Sequence, residues 1–250
     1  MTKIARLLAQ RNDLSTFVVH FTRGDWEDAR ENLVSILESE KIEARNAFGS
    51  AVGALRKANL TNCLSSQRTV CFTETPLEHV NLFLEPISDL NRKCKFAPYG
   101  IALTKRIARN QGVNPIWYVD ITKKTGNPIM RSTNAMIEAA ISEVVDERAR
   151  GNAKASFSQY EVSNLAPFVE QMGTGPTFKK EFWWEREWRH LGDFHLPHQF
   201  LVIAPEAEHK RFEAITKDWT RKPRVIDATW GLEGIIGRLA GFRPNEIAPF

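Results

Sequence analysis

Apolar positions along the chain switch between a two-residue and a three-to-four-residue period, and those switches outline the elements. Residues 15–23, STFVVHFTR, form a β-branched and aromatic run that reads as a buried strand. DWEDARENLVSILESEKI follows, with Leu33, Ile36 and Leu37 at helical spacing and Asp25 as its N-cap. QRTVCFTETP, 67–76, reads as a second strand that Pro76 halts. Pro76 then opens a short helix, PLEHVNLFL, because a first turn does not need its missing N–H. YGIALTKRIARNQG predicts a strand running into a short helix that ends at Gly112, and PIWYVDIT, 115–122, another strand.

The clearest amphipathic pattern is TNAMIEAAISEVVDERAR, 133–150, a helix closed by Gly151. Residues 151–181 are polar, carry Gly173, Gly175 and Pro176, and read as a mobile loop region. HQFLVIAPEAEHKRFEAIT predicts strand then helix, and RVIDATWGLEGIIGRLAGF repeats that order. Strands and helices mix without strict alternation, several strands pairing antiparallel, so the expected class is α+β in one domain spanning 1–250.

Composition narrows the field. The chain has 250 residues, 42% hydrophobic and 26% charged, the fractions of an ordinary soluble globular protein long enough for one well-buried domain or one domain with a large insertion. No apolar run approaches the ~20 residues of a membrane span, and MTKIARLLAQRNDLS lacks a signal-peptide core, so a cytoplasmic protein is expected. Cys63, Cys71 and Cys94 show no C-x-x-C spacing and read as free thiols. The net charge of +4 gathers in NRKCK (91–95), LTKRIARN (103–110), DERARGNAK (146–154) and KDWTRKPR (217–224). Such clusters could follow a phosphate backbone, although for any single cluster a solvated surface is the commoner outcome.

The densest chemistry lies in FWWEREWRHLGDFH, 182–195. On an extended strand Glu185 and Glu187 point to one face, Arg186 and Trp188 to the other. A carboxylate pair walled by tryptophans fits displacement at the anomeric carbon of a ribose. One carboxylate would stabilise oxocarbenium-like charge, the other would orient the incoming nucleophile, and the indoles would exclude water. Alternating glutamate and arginine is also a common solvated strand face with cross-strand ion pairs.

Taken in order, VVHFTR, NLVSILESEKIEA, TVCFTETPLEHV, YGIALTK, PIWYVDIT and EREWRHLGD resemble AbiGi-type phage-resistance proteins and, more distantly, DarT- and CmdT-like ADP-ribosyltransferase toxins. The likeness spans about residues 15–205. It implies an ADP-ribosyltransferase-like split sheet with flanking helices, holding NAD+ as co-substrate. Glu187 would be the catalytic glutamate and Glu185 would recognise the acceptor. His20 would hold the nicotinamide-side ribose, Thr22 would lie near the nicotinamide, and Thr73 and Thr75 would line the cleft. The family's serine is absent from that element. Arg45 or Arg68 would contact the diphosphate, and Trp183 and Trp184 would face the acceptor, DNA or RNA. The label AbiGi has also been attached to an antitoxin role, which sits uneasily with a toxin enzyme.

Two functions therefore stand side by side. One is an NAD+-dependent ADP-ribosyltransferase of a toxin or anti-phage system, acting on nucleic acid or on a protein and restrained by an antitoxin or chaperone partner. The other is a non-catalytic antitoxin or nucleic-acid-binding partner with the same fold. His20, between Val19 and Phe21, also fits a core histidine, and Glu74 an edge-strand charge. His190, Asp193, His195 and His198 sit within nine residues, yet their spacing matches no familiar metal motif and Pro197 interrupts it, so no metal is assigned. No phosphate loop, dinucleotide fingerprint, zincin motif or nucleophile elbow occurs.

Overall fold

The computed structural model describes residues 14–82, 84, 96–122, 126–175, 178–242 and 246. The N-terminal stretch 1–13, the cluster 91–95 with Cys94, and Pro176 lie outside the described residues. The chain runs through strands β1 (Phe17–Arg23), β2 (Asn46–Ala47), β3 (Arg68–Thr73), β4 (Phe96–Thr104), β5 (Asn114–Pro115), β6 (Trp117–Asp120), β7 (Val169–Gly175), β8 (Phe178–Lys180), β9 (Glu187–Leu191), β10 (Leu201–Ile203) and β11 (Arg224–Ile226). Its helices are α1 (Trp26–Ser39), α2 (Val52–Lys57), α3 (Lys105–Asn110), α4 (Pro128–Ala149), α5 (Val162–Leu165), α6 (His209–Ile215) and α7 (Leu232–Ala240). The class is α+β, rich in antiparallel pairs. Contacts divide the chain into two compact units. The first is drawn from Met1–Lys41, Phe72–Gln111 and His195–Phe250, the second from Ile42–Cys71 and Gly112–Phe194.

In the first unit, β1 and β4 are hydrophobic on both faces, and both faces are covered. Strands run in the order β11, β10, β4, β1, with the end of β3 beside β1. Thr73, Val19, Ala102, Leu201 and Arg224 form one row across them. Neighbours are antiparallel except β10 and β11, which the α6 crossover makes parallel. Val19, Ala102, Ile203 and Ile226 pack with Leu77, Val80 and Ile235 of α7. By strand alternation the opposite face carries Val18, Ile101 and Val202, beneath α1.

Asp25 caps α1 as expected, its carboxylate accepting the N–H groups of Glu27 and Asp28. Gly100 is required by close approach: a Cβ there would sit 2.4 Å from the carbonyl oxygen of His20. Pro76 stands one residue ahead of its expected place, as the N-cap of a 3₁₀ turn over Leu77–His79.

The second unit is built on α4, which starts five residues before the expected Thr133 because Asn127 caps it and Pro128 opens its first turn. Its buried face, Ile137, Ile141 and Val144, packs with Leu55, Leu60, Cys63 and Phe157. Gly151, at φ +95°, ends it as expected. The stretch expected to be a mobile loop is largely ordered structure. It holds a 3₁₀ turn at Phe157–Gln159, α5, and β7 with β8. β7 pairs parallel with β6 and antiparallel with β8, so buried backbone and Val169 hold the segment despite its polarity.

Candidate functional site

The expected pair of carboxylates on one strand face does not form. Trp183–Glu185 is a 3₁₀ turn, and Arg186 follows in the left-handed region at φ 43°. That reversal starts β9 only at Glu187, so Glu185 lies outside the strand and alternation does not relate the two glutamates. The residue sharing a face with Glu187 is Arg189, two positions further on.

Arg189 is 2% exposed, an uncommon burial for a guanidinium. Its Nε donates to Glu187 Oε1 at 2.8 Å and its Nη2 to Glu187 Oε2 at 2.8 Å, a two-point bond. Nη2 also donates to Glu170 Oε2 at 2.8 Å, and Nη1 to the carbonyl of Pro167. The ring of Phe48 lies 5.1 Å from the guanidinium carbon. Lys180 pairs with the other oxygen of Glu170. Two cations and two carboxylates thus form a charge-compensated network, buried at Arg189 and part-exposed at Lys180, which removes the repulsion an isolated acidic pair would bring.

Protonation follows this arrangement. Burial works against ionised Glu170, but Arg189 and then Lys180 override it and hold the carboxyl below its ordinary value of 4.5. Burial disfavours the Arg189 cation, and Glu187 outweighs it, raising the guanidinium further above neutrality. Burial, then Glu187, pushes the Cys71 thiol up, so this side chain is a poor nucleophile. Burial likewise raises the Tyr118 phenol, whose oxygen accepts the backbone N–H of Glu187 at 2.9 Å.

Tyr118 links the network to the surface. Its ring packs 5.4 Å from that of Trp183, which is 40% exposed, and the neighbouring Trp184 is 44% exposed. Arg68 heads β3, exposed, its carbonyl accepting the N–H of Gly192, while exposed Arg45 pairs with Glu43. Glu170, Arg189 and Tyr118 escaped the sequence reading. The Glu187-x-Arg189 spacing was a legible signal for one of them; the other two come from β7 and β6.

The remaining candidates belong to the first unit. His20 is half-buried on β1, its ring edge-on to Phe72 at 5.8 Å. The Thr22 hydroxyl lies 2.7 Å from the carbonyl of Ala29 and 3.1 Å from that of Tyr99, tying β1 to its neighbours. Thr73 and Thr75 share a hydrogen bond of 3.0 Å, both buried. Among the described residues no group of three or more histidine, cysteine or acidic side chains is placed to hold a metal. His190 bonds the carbonyl of Gly192, and Asp193 accepts the N–H of Ala44.

A family model described as "Putative abortive phage resistance protein AbiGi, antitoxin" matches residues 36–221, well over half of the chain. The chain belongs to the AbiGi family. Membership puts it in abortive phage resistance and in a toxin–antitoxin system. No curated protein and no solved structure matches the chain. The expectation of an ADP-ribosyltransferase toxin is thereby overturned, because the family is described as an antitoxin. Its link to DarT- and CmdT-like enzymes has no support from the comparisons, nor have NAD+ and a nucleic-acid acceptor. The geometry accords with that correction: both oxygens of Glu187 are held by Arg189.

Proposed function

We propose that the protein is a non-catalytic antitoxin that restrains a toxin protein in the cytoplasm by binding it directly. The family match over residues 36–221 carries this reading. The neutral Arg189 network supports it by giving the unit a rigid, charge-compensated base. On that base the turn Trp183–Glu185 presents two half-exposed indoles, the side-chain type that most often anchors protein interfaces. Among the described residues no helix is long and apolar enough to cross a membrane.

The test is growth. Expressed alone, the protein should leave cells healthy; expressed with the toxin of its own resistance system, it should restore growth that the toxin arrests. Glu187→Gln, if it folds, should protect as well as the wild type. Arrest of growth by the protein alone would overturn the reading.

A further inference from the structure

Two basic clusters far apart in sequence, LTKRIARN and KDWTRKPR, are brought by the fold to one edge of the first unit's sheet. The row Thr73–Val19–Ala102–Leu201–Arg224 fixes the geometry. β4 runs two residues past that row to Thr104, opposite Phe17 at the start of β1, and then turns into α3. The N–H of Lys105 bonds the carbonyl of Thr16, pinning the helix start there. β10 and β11 are parallel and both begin at the row, so α6 must run back and end at the same edge. The loop 216–223 therefore lies there too, and Trp219 within it packs edge-on to Phe200, 5.7 Å between rings.

We propose that this edge binds the phosphate backbone of nucleic acid. Arg106, Arg109, Lys217, Arg221, Lys222 and Arg224 are all exposed, and none has an ion-pair partner among the described residues. Glu74, the acid at the end of β3 on the same edge, is neutralised by Lys105 at 2.7 Å. Asp218 is the acidic residue within the loop. The cations thus stand in excess in a strip, the arrangement that displaces counterions from a polyanion. An acidic protein is the weaker fit. No exposed large hydrophobic residue falls within 105–110 or 217–224, and exposed Phe242, next to the Gly241 that lies beside Arg224, sits at the margin of the strip and not at its centre, whereas a protein interface needs an apolar centre. The site lies on a different unit from the Trp183–Trp184 turn and does not depend on the antitoxin reading.

Fluorescence anisotropy with a labelled duplex DNA of scrambled sequence tests this, with a single-stranded RNA of equal length as the second probe. Six phosphate contacts predict that log K falls with log salt at a slope of about −5 for the duplex and about −4 for the single strand. Duplex affinity should drop about a thousandfold between 50 and 200 mM salt. Arg221→Glu with Lys222→Glu should make the duplex slope shallower by about 2, because two contacts are lost. Lys210→Glu, an exposed cation in the first turn of α6 at the far end of that helix, should change neither slope nor affinity. Circular dichroism of each variant confirms folding. A wild-type slope shallower than about −2 would overturn the proposal. So would equal losses in the Lys210 and Arg221 variants, or unchanged DNA binding in the Arg221 variant together with lost toxin binding, which marks the edge as a protein-docking surface.

Discussion

Glu187 and Arg189, two residues apart on β9, are joined through both carboxylate oxygens at 2.8 Å. The guanidinium of this pair is almost wholly removed from water, and Glu170 shares it from β7. The glutamate that looks most reactive in the sequence is held as part of a structural ion pair.

Breaking this pair from the arginine side should be costly. Arg189→Met leaves Glu187 and Glu170 without their shared cation and is expected to destabilise the protein by about 3–5 kcal/mol. Urea unfolding should show a lower midpoint. Glu187→Gln, which preserves shape and one acceptor, should lose clearly less. Equal losses would mean that charge compensation is not what the network supplies.

Acid should weaken the same network. The folded-state pKa of Glu170 is depressed, so its contribution is present above the ordinary value of 4.5 and disappears as pH falls through the lower folded value. Stability measured against pH should begin to fall below the ordinary value of 4.5 in the wild type and follow a flatter course there in Glu170→Gln. An identical pH dependence in both proteins would contradict the assignment.

A second acid-sensitive group sits in the first unit. Burial, with Arg238 adding to it, lowers the pKa of His209 below its ordinary 6.5, although the carbonyl of Ala204, Asp227 and Glu206 pull the other way. Its Nε2 bonds Ala204 at 3.0 Å, and its ring lies 5.3 Å from that of Trp230. The neutral ring is the folded form, so stability is complete above the ordinary value and is lost as pH falls below it. Thermal melts between about pH 7 and 5 should show His209→Gln losing less than the wild type over that interval.

Gly100 tests the packing of β1 on β4. An alanine there brings a methyl to 2.4 Å from a backbone oxygen that cannot move alone. Gly100→Ala should lower stability by about 1–3 kcal/mol, read as a drop in melting temperature. A variant as stable as the wild type would mean that the strands can part.

Exposed indoles bear on partner binding. Trp183→Ala combined with Trp184→Ala should lower the unfolding midpoint only modestly, through the lost packing of Trp183 on Tyr118, while weakening toxin binding by about 2 kcal/mol or more, roughly thirtyfold in Kd. Calorimetric titration of the toxin reads this directly. Undiminished affinity would move the interface elsewhere.

Local signals were legible where a short-range cause dominates. The Asp25 cap, the strand expected over 15–23 and found at Phe17–Arg23, the end of α4 at Gly151 and the strand–helix order after residue 199 depend on residues close in sequence. The same reasoning failed at 151–181, where polar composition suggested a loop. Pairing with β6, some fifty residues away, makes a strand of it. It failed again at Glu185, because a single left-handed residue, Arg186, ends strand periodicity without any glycine to announce it.

The chain by itself determined the α+β class, the positions of most elements, and which segments carry excess positive charge, since these follow from period, capping and composition. Only the tertiary structure decided that Arg189 rather than Glu185 partners Glu187, that Glu170 completes the network, and that 103–110 and 217–224 share one edge. Those outcomes depend on register and on strand order, and both are set by contacts between residues that no local pattern relates.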